Sequence, residues 1–371
     1  MRYYLIAGER SGDLHGSNLI RSLKKVDGEA VFRCWGGEYM QEAGADLAVH
    51  YNHLAIMGFI EVLLYFRKIL HYLRFCKKDI LHFQPDVVIL IDFAGFNLRI
   101  ASFLKKKGIR VYYYISPKVW AWNTGRARKI KRLVDKMFVI LPFEKDFYRQ
   151  FDLDVDYVGN PVVDAVRKHE PDNSFLNQRE ILNREKYIAL LPGSRKQELE
   201  SVLPYLIQLA SSFRDVQFIL AGIKSLPPQL YAEVDQASNI AIVYDRTYDV
   251  LAFAQAAVVT SGTATLETAL WEVPQVVIYR SNSPITVLIA RMVIKVKFIS
   301  LVNLIAGREV VRELIQKNLT QEHLHAEVDR LYTDEAYRNR ILSDYAEVRN
   351  ILGNEPVSEK AAVLMMKYLR N

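Results

Sequence analysis

Cysteine is almost absent from this chain. Cys34 and Cys76 are the only two, in unrelated contexts and without CxxC or Cys/His spacing. That excludes a disulfide framework and gives no sign of a zinc site. No run reaches the ~18 uncharged apolar residues needed to span a bilayer. The start, Met1 to Gly8, reads as a strand entering a glycine turn rather than a secretory signal. There is no short repeat or low-complexity tract, no recognised nucleic-acid motif, and neither a GxGxxG nor a Walker loop. These absences point to a cytoplasmic protein without a nucleic-acid partner.

What remains is ordinary globular material. The 371 residues are half hydrophobic and a quarter charged, and a single core stops growing near ~250–300 residues, so two domains are expected. The net charge of +7 suits an anionic partner such as a nucleotide, a phosphorylated lipid or a membrane surface, and equally a soluble protein that is simply basic.

Short β-rich runs alternate with helical periodicity, the pattern of parallel α/β construction. The first half offers strands at Tyr3–Ala7, Ala30–Trp35, Val87–Ile91, Val111–Ile115 and Lys136–Leu141. The second repeats the design at Tyr187–Leu191, Val216–Ala221, Ile240–Tyr244, Ala256–Thr260 and Gln275–Tyr279. Val158-Gly159-Asn160-Pro161 and the polar stretch Lys168–Asn183 read as hinge and linker. The economical fold is two Rossmann-like domains facing a cleft, 1–165 and 166–355, with a final helix near 356–371 returning to the first domain or to a partner chain.

Loops that follow strands carry the chemistry. After Ala256–Thr260 come Ser261, Gly262, Thr263, Ala264 and Thr265, with Glu267 one turn into a helix. Free amides and hydroxyls there can cradle a phosphate, and Glu267 can accept hydrogen bonds from a ribose. The same letters also describe an ordinary capped helix. A second loop, Pro192-Gly193-Ser194-Arg195, puts a permanent cation at a strand end, suited to a diphosphate or merely to a turn. In the first half, Gly8-Glu9-Arg10-Ser11-Gly12-Asp13 sets two carboxylates where a dinucleotide fold would expect phosphate, which favours a hydroxyl-bearing acceptor. His15 follows, a lone histidine. Asp92 and Asn97 flank Phe93-Ala94-Gly95-Phe96 just past a buried strand, and Asp92 is a general-base or helix-cap candidate. Ser116, Trp120 and Trp122 end another strand and suit a sugar, an acyl chain or the core.

The segment Ile56–Phe83 is apolar and basic together. Val62, Phe66, Ile69, Leu73 and Ile80 form one helical stripe, while Ile60, Leu64 and Phe75 fall among Arg67, Lys68 and their basic neighbours. That mixture suits an anionic bilayer surface or acyl chains, or burial on two sides. Arg126, Arg128, Lys129, Lys131 and Arg132 form a second basic cluster.

In order, the stretches AGERSGD, MGFIEV, IDFAGFN, YYISPKVWAWN, LPFEKDFY, VGNPVVD, LLPGSRKQE, SGTATLE and ISLVNLIAGREVVRELIQ resemble the bacterial lipid-A-disaccharide synthases over nearly the whole chain. The resemblance implies a GT-B fold and an inverting transfer of 2,3-diacylglucosamine from UDP-2,3-diacylglucosamine. The acceptor would be 2,3-diacylglucosamine 1-phosphate (lipid X), at the cytoplasmic face of the inner membrane, with no cofactor and no metal. It also implies UDP contacts from Gly193, Ser194, Arg195 and Ser261 to Thr265 with Glu267. Acceptor or sugar contacts would come from Gly8, Ser11, Gly12, Asn97, Ser116, Trp120, Asn303 and Gln316, and a swapped homodimer is a further implication. In many relatives a second aspartate stands where this chain has Gly95 and serves as the favoured base, leaving Asp92, Glu9 and Asp13 as candidates here. The usual proline before Asn303 is Val302. The alternatives are another GT-B enzyme using UDP-GlcNAc, of the peptidoglycan transferase or 2-epimerase type, and a non-catalytic basic membrane-binding protein.

Overall fold

A computed structural model describes residues 1–53, 66–122, 124–177, 186–213, 215–234, 236–281 and 296–371. The chain forms two compact units, Met1–Pro161 with Asn354–Asn371, and Val162–Gly353. The chain leaves the first unit before the helix Pro161–Lys168, slightly ahead of the 165/166 break expected from composition.

The first unit holds strands β1 Arg2–Ala7, β2 Val31–Gly36, β3 Asp46–His50, β4 Val87–Ile91, β5 Arg110–Tyr114, β6 Lys136–Val139 and β7 Asp156–Tyr157. They form one sheet in the order β3-β2-β1-β4-β5-β6-β7, every pairing parallel. Their near-continuous apolar character follows from burial on both faces. Successive side chains alternate between two cores, as the pleat requires. Tyr3, Leu5, Ala7, Val87, Ile89 and Ile91 face one, and Tyr4, Ile6, Val88 and Leu90 the other.

Helix Arg10–Val26 covers the first face, joined by the C-terminal helix Val357–Arg370. Ala361, Ala362, Met365, Met366 and Leu369 of that last helix enter the same core, and Lys25 pairs with Glu359 at 2.6 Å. Helices Phe66–Phe83, Ala94–Lys106 and Arg126–Leu133 cover the second face. No helix among the described residues is long and apolar enough to cross a membrane.

The second unit has β8 Tyr187–Leu191, β9 Gln217–Gly222, β10 Ile240–Tyr244, β11 Ala256–Thr260, β12 Gln275–Tyr279 and β13 Glu313–Ile315. Their order is β10-β9-β8-β11-β12-β13, again parallel. Both sheets therefore reverse direction of growth once, at β1/β4 and at β8/β11. Open parallel sheets bind ligands outside the carboxyl ends of the two strands flanking such a switch.

The short strands β3, β7 and β13 escape the sequence pattern. β3 lies at an edge and is only half-buried, and β7 and β13 are too brief to show any periodicity.

Candidate active site

At the first switch point, β1 ends in Gly8 and β4 in Asp92. A side chain on Gly8 would fall 2.3 Å from the Phe93 ring, so only glycine lets the two strand ends approach this closely. Asp92 and Phe93 both have positive φ, 43° and 46°, and Ile115 at the end of β5 has 64°. Such backbone costs roughly 1–3 kcal/mol per residue unless the surroundings hold it. Here Asn97 does so. It is fully buried, and its Nδ2 donates to the carbonyls of Ile91 at 3.2 Å and Asp92 at 2.9 Å. The Tyr113 hydroxyl donates to the same Asp92 carbonyl. The Asn97 Nδ2 is thus spent on the turn, while its Oδ1 is buried with no partner among the described residues.

The three candidate bases separate clearly. Asp13 is fully buried and accepts N–H bonds from Gly37 at 2.7 Å and from Tyr39 and Met40 at 3.1 Å each. It anchors the turn after β2 and cannot reach a substrate, which removes it as a base. Glu9 and Asp92 are both exposed. The Asp92 pKa is raised, first by the close packing around its carboxyl and then by the negative Glu9, with Lys118 opposing. A surface carboxylate whose pKa is raised is a stronger base than an ordinary aspartate, which suits proton abstraction.

Around it, Ser11 is exposed and Gly12 buried. His15 is half-buried, and desolvation pushes its pKa down to about 4, so the ring is neutral at pH 7.

The loop after β5 is tied from beneath. Ser116 is buried, with its hydroxyl on the Tyr148 hydroxyl at 2.6 Å and on the Pro117 carbonyl at 3.1 Å. That occupies the group expected to meet a sugar. Trp120 packs edge-on to Phe143 at 4.9 Å and is only 9% exposed, a core residue at the base of the loop. Glu144, a carboxylate missed in the sequence, accepts N–H bonds from Ile140 at 3.2 Å and Leu141 at 2.9 Å. Burial pushes its pKa up to about 7. Nothing in the letters LPFEKDFY marked it as buried.

In the second unit β8 leads into Gly193, with φ +101° and a hypothetical Cβ 2.5 Å from Glu198 Oε2. Glu198 accepts the N–H groups of Ser194 at 3.1 Å and Arg195 at 3.2 Å, so these amides already hold an anion of their own. The Arg195 guanidinium is different. It is 80% exposed and, among the described residues, pairs with Glu198 alone, at 3.4 Å, a surface contact worth little in water.

Across β8 from this loop, β11 enters Ser261. The Ser261 N–H donates to Ile278 and its hydroxyl to the Ile299 carbonyl at 3.0 Å. Thr265 is buried, donates its hydroxyl to the Gly262 carbonyl at 2.9 Å and accepts from the Leu301 N–H at 3.2 Å. Its hydroxyl is thus not a ligand group, against expectation. Thr263 makes no side-chain cap, and the Glu267 carboxylate receives the Tyr248 hydroxyl at 2.9 Å, so the capping-box alternative does not form either. The N–H groups of Gly262, Thr263 and Ala264 find no acceptor among the described residues. They form a small set of free donors at the switch point.

Behind this turn stands the late motif. Asn303 is fully buried. It donates to Val311 at 2.8 Å and Glu313 at 2.9 Å, and it accepts from the N–H groups of Val310 at 2.8 Å and Val311 at 3.0 Å. All its bonding capacity is internal, so it is a buttress and not the sugar ligand expected. Gln316 is half-buried at the carboxyl end of β13, with a strained φ of 51°. Ile60 and Leu64 lie outside the described residues. Of the same greasy segment, Arg67, Lys68 and Phe75 are exposed, while Leu73, Cys76 and Ile80 are buried.

A family model for lipid-A-disaccharide synthetase matches residues 3–367. The chain belongs to the lipid-A-disaccharide synthase family. It is 38% identical to the synthase of Geobacter metallireducens over 374 aligned residues, covering 99% of this chain and 97% of that one. The synthase of Syntrophus aciditrophicus is 40% identical over 373, with the same coverage. That of Coxiella burnetii is 37% identical over 367, 96% of each chain.

Among solved structures, the UDP-GlcNAc 2-epimerase of Neisseria meningitidis, bound to UDP-GlcNAc, superposes with a TM-score of 0.69 at 12% identity over all of both chains. The glycosyltransferase of kitacinnamycin gives 0.62 at 14%, over 99% of each. At such identities the likeness is one of fold, the GT-B arrangement of two parallel-sheet domains. As a lipid-A-disaccharide synthase the chain is a glycosyltransferase of lipid A biosynthesis. It joins the 2,3-diacylglucosamine of a UDP donor to 2,3-diacylglucosamine 1-phosphate and releases UDP.

Proposed function

We propose that Asp92 is the general base of this transfer, and that the turn Ser261–Ala264 together with Arg195 receives the diphosphate of the donor. The observation that carries the reading is the position of these groups. Each lies beside a switch point of a parallel sheet, where ligands bind, and each has chemistry still uncommitted: a raised, exposed carboxylate in one unit, free amides and an exposed guanidinium in the other. Asp92 would take the proton of the acceptor's 6-hydroxyl as it attacks the anomeric carbon from the face opposite UDP, which inverts that centre. The amides and Arg195 would stabilise the charge growing on the leaving diphosphate. Glu267 would accept hydrogen bonds from the ribose, and Gln316 would meet the sugar.

Gly95 tests the assignment of the base. A side chain there meets nothing within 4 Å, and an acid in the first turn of the helix Ala94–Lys106 suits its N-terminus. Gly95→Asp should therefore fold as the wild type does. Its turnover of UDP-2,3-diacylglucosamine with lipid X, followed by mass spectrometry of the disaccharide, is expected to stay within about threefold of wild type, well under the ~10² that a positioned base contributes. A gain of two orders of magnitude would place the base at that position and not at Asp92.

Both substrates carry acyl chains, and we further propose that the helix Phe66–Phe83 meets the cytoplasmic surface of the inner membrane. Arg67, Lys68, Arg74 and Lys78 surround the exposed Phe75, and the helix's one carboxylate, Asp79, is buried on Arg33 at 2.7 Å. Each cation near an anionic surface contributes about 1 kcal/mol. Replacing Arg67, Lys68 and Arg74 by serine should thus lower partition onto phosphatidylglycerol vesicles by on the order of a hundredfold. Unchanged co-sedimentation would refute this.

A further inference from the structure

The geometry points to Tyr248 as the positioning residue that aims the Glu267 carboxylate at the donor ribose, an inference that rests on the ribose role proposed above for Glu267. A glutamate has three rotatable bonds and in water samples many orientations. Here one oxygen is fixed: the Tyr248 hydroxyl donates to Glu267 Oε1 at 2.9 Å. The other oxygen has no partner among the described residues and is left for a pair of vicinal hydroxyls. Burial raises the Glu267 pKa, and the Tyr248 bond works against that rise. The phenol thus favours the ionised form, the acceptor that a ribose donating two O–H bonds requires.

Tyr248 is itself held in place. Its ring stands edge-on to His169, with centroids 5.4 Å apart at 86°, and tilts against Trp271 at 6.1 Å and 55°. His169 meets Trp271 edge-on at 5.9 Å and is fixed through Nε2 to Asp249 Oδ1 at 2.7 Å. Asp249 accepts in turn from Arg246 Nε at 2.7 Å and from the Asp172 N–H at 3.0 Å. A phenol packed against two rings that also brace each other is restrained from swinging away from the carboxylate it orients. This brace joins three segments distant in sequence, 169–172, 246–249 and 267–271, so no local motif announces it.

Tyr248→Phe keeps the ring and its aromatic contacts and removes only the donor. The readout is calorimetric binding of UDP against 2′,3′-dideoxy-UDP, with thermal melts as a check on folding. Wild type should prefer UDP by about tenfold or more, since hydrogen bonds to a charged group are worth ~1.5–3 kcal/mol. In Tyr248→Phe that preference should fall to about threefold or less, with dideoxy-UDP bound as in wild type, since only the ribose bonds are weakened. Should the Phe variant melt below the assay temperature, Tyr248→Met, a second non-donor, must show the same loss.

The ribose role of Glu267 and the positioning role of Tyr248 fall on different outcomes. If wild type does not distinguish the two nucleotides, or if Glu267→Gln keeps the full preference, the ribose reading of Glu267 falls, and this inference with it. If wild type and Glu267→Gln behave as stated but folded Tyr248→Phe retains the full preference, Tyr248 is only a packing residue and the inference is overturned while the ribose reading stands.

Discussion

Asp92→Asn should reduce kcat by about 10²–10⁴, the usual worth of a positioned general base, with the melting temperature unchanged. The fold should survive for two reasons. The carboxylate is exposed and supports no long-range contact, and the strain at this position, φ 43°, is one that asparagine tolerates as well as aspartate does. Fold and catalysis are thus separable at this residue, unlike at the buried Asp13.

The pH dependence gives a finer test. With Asp92 as the proposed base, kcat/KM should fall as pH drops through its pKa. Because close packing and the charge of Glu9 raise that pKa, the acid limb should lie above the range of an ordinary aspartate. Glu9→Gln removes the like charge and should move the limb to lower pH. Lys118→Met removes the opposing cation and should move it to higher pH. Shifts in these opposite directions identify the titrating group as Asp92. An Asp92→Asn enzyme within tenfold of wild type would assign the base elsewhere.

Arg195→Ala should weaken UDP binding by about 10- to 100-fold, read by calorimetry, since a guanidinium presents paired charge-assisted bonds to a diphosphate. The loss is expected because the side chain has so little to do otherwise: it is 80% exposed, with a single contact at 3.4 Å. Arg195→Lys should recover only part of the affinity, because an ammonium is a point charge and cannot pair in two places. The seven-residue helix after the Ser261–Thr263 turn offers a weak dipole of its own, which puts more of the burden on this cation. Unchanged UDP affinity in Arg195→Ala would place the diphosphate contacts on other groups.

The residues that read correctly from sequence share a physical cause. Val87–Ile91, Tyr187–Leu191, Ile240–Tyr244, Ala256–Thr260 and Gln275–Tyr279 are apolar nearly throughout, because a parallel sheet buried on both faces leaves no polar alternation. Their boundaries are therefore visible in one dimension. The glycine- and hydroxyl-rich loops after them are legible for a related reason. Gly8 and Gly193 sit where the backbone tolerates no side chain, and such positions stand out against the apolar strands they end.

The roles of polar residues within those loops were not legible. Asp13, Asn97, Ser116, Thr265 and Asn303 share the chemistry of ligand-binding groups, and a sequence does not tell whether an amide or carboxylate will be spent on substrate or on backbone. The partners that decide it come from far along the chain: Gly37 and Met40 for Asp13, Val311 and Glu313 for Asn303, Leu301 for Thr265. Glu144, Glu198 and Tyr248 were missed for the same reason in reverse.

For the switch-point turn Ser261-Gly262-Thr263, sequence alone determined that a parallel strand ends in small residues at a place able to receive a phosphate. The ordered motifs placed the chain in its family. Only the tertiary structure decided which groups there remain free, the three amides and not the Thr265 hydroxyl. It likewise showed that one of three carboxylates in the other unit, Asp13, is buried on backbone amides. Strand burial is a property of a segment and is written along it. Availability depends on whether a hydrogen-bond partner arrives from elsewhere, and that exists only once the chain has folded.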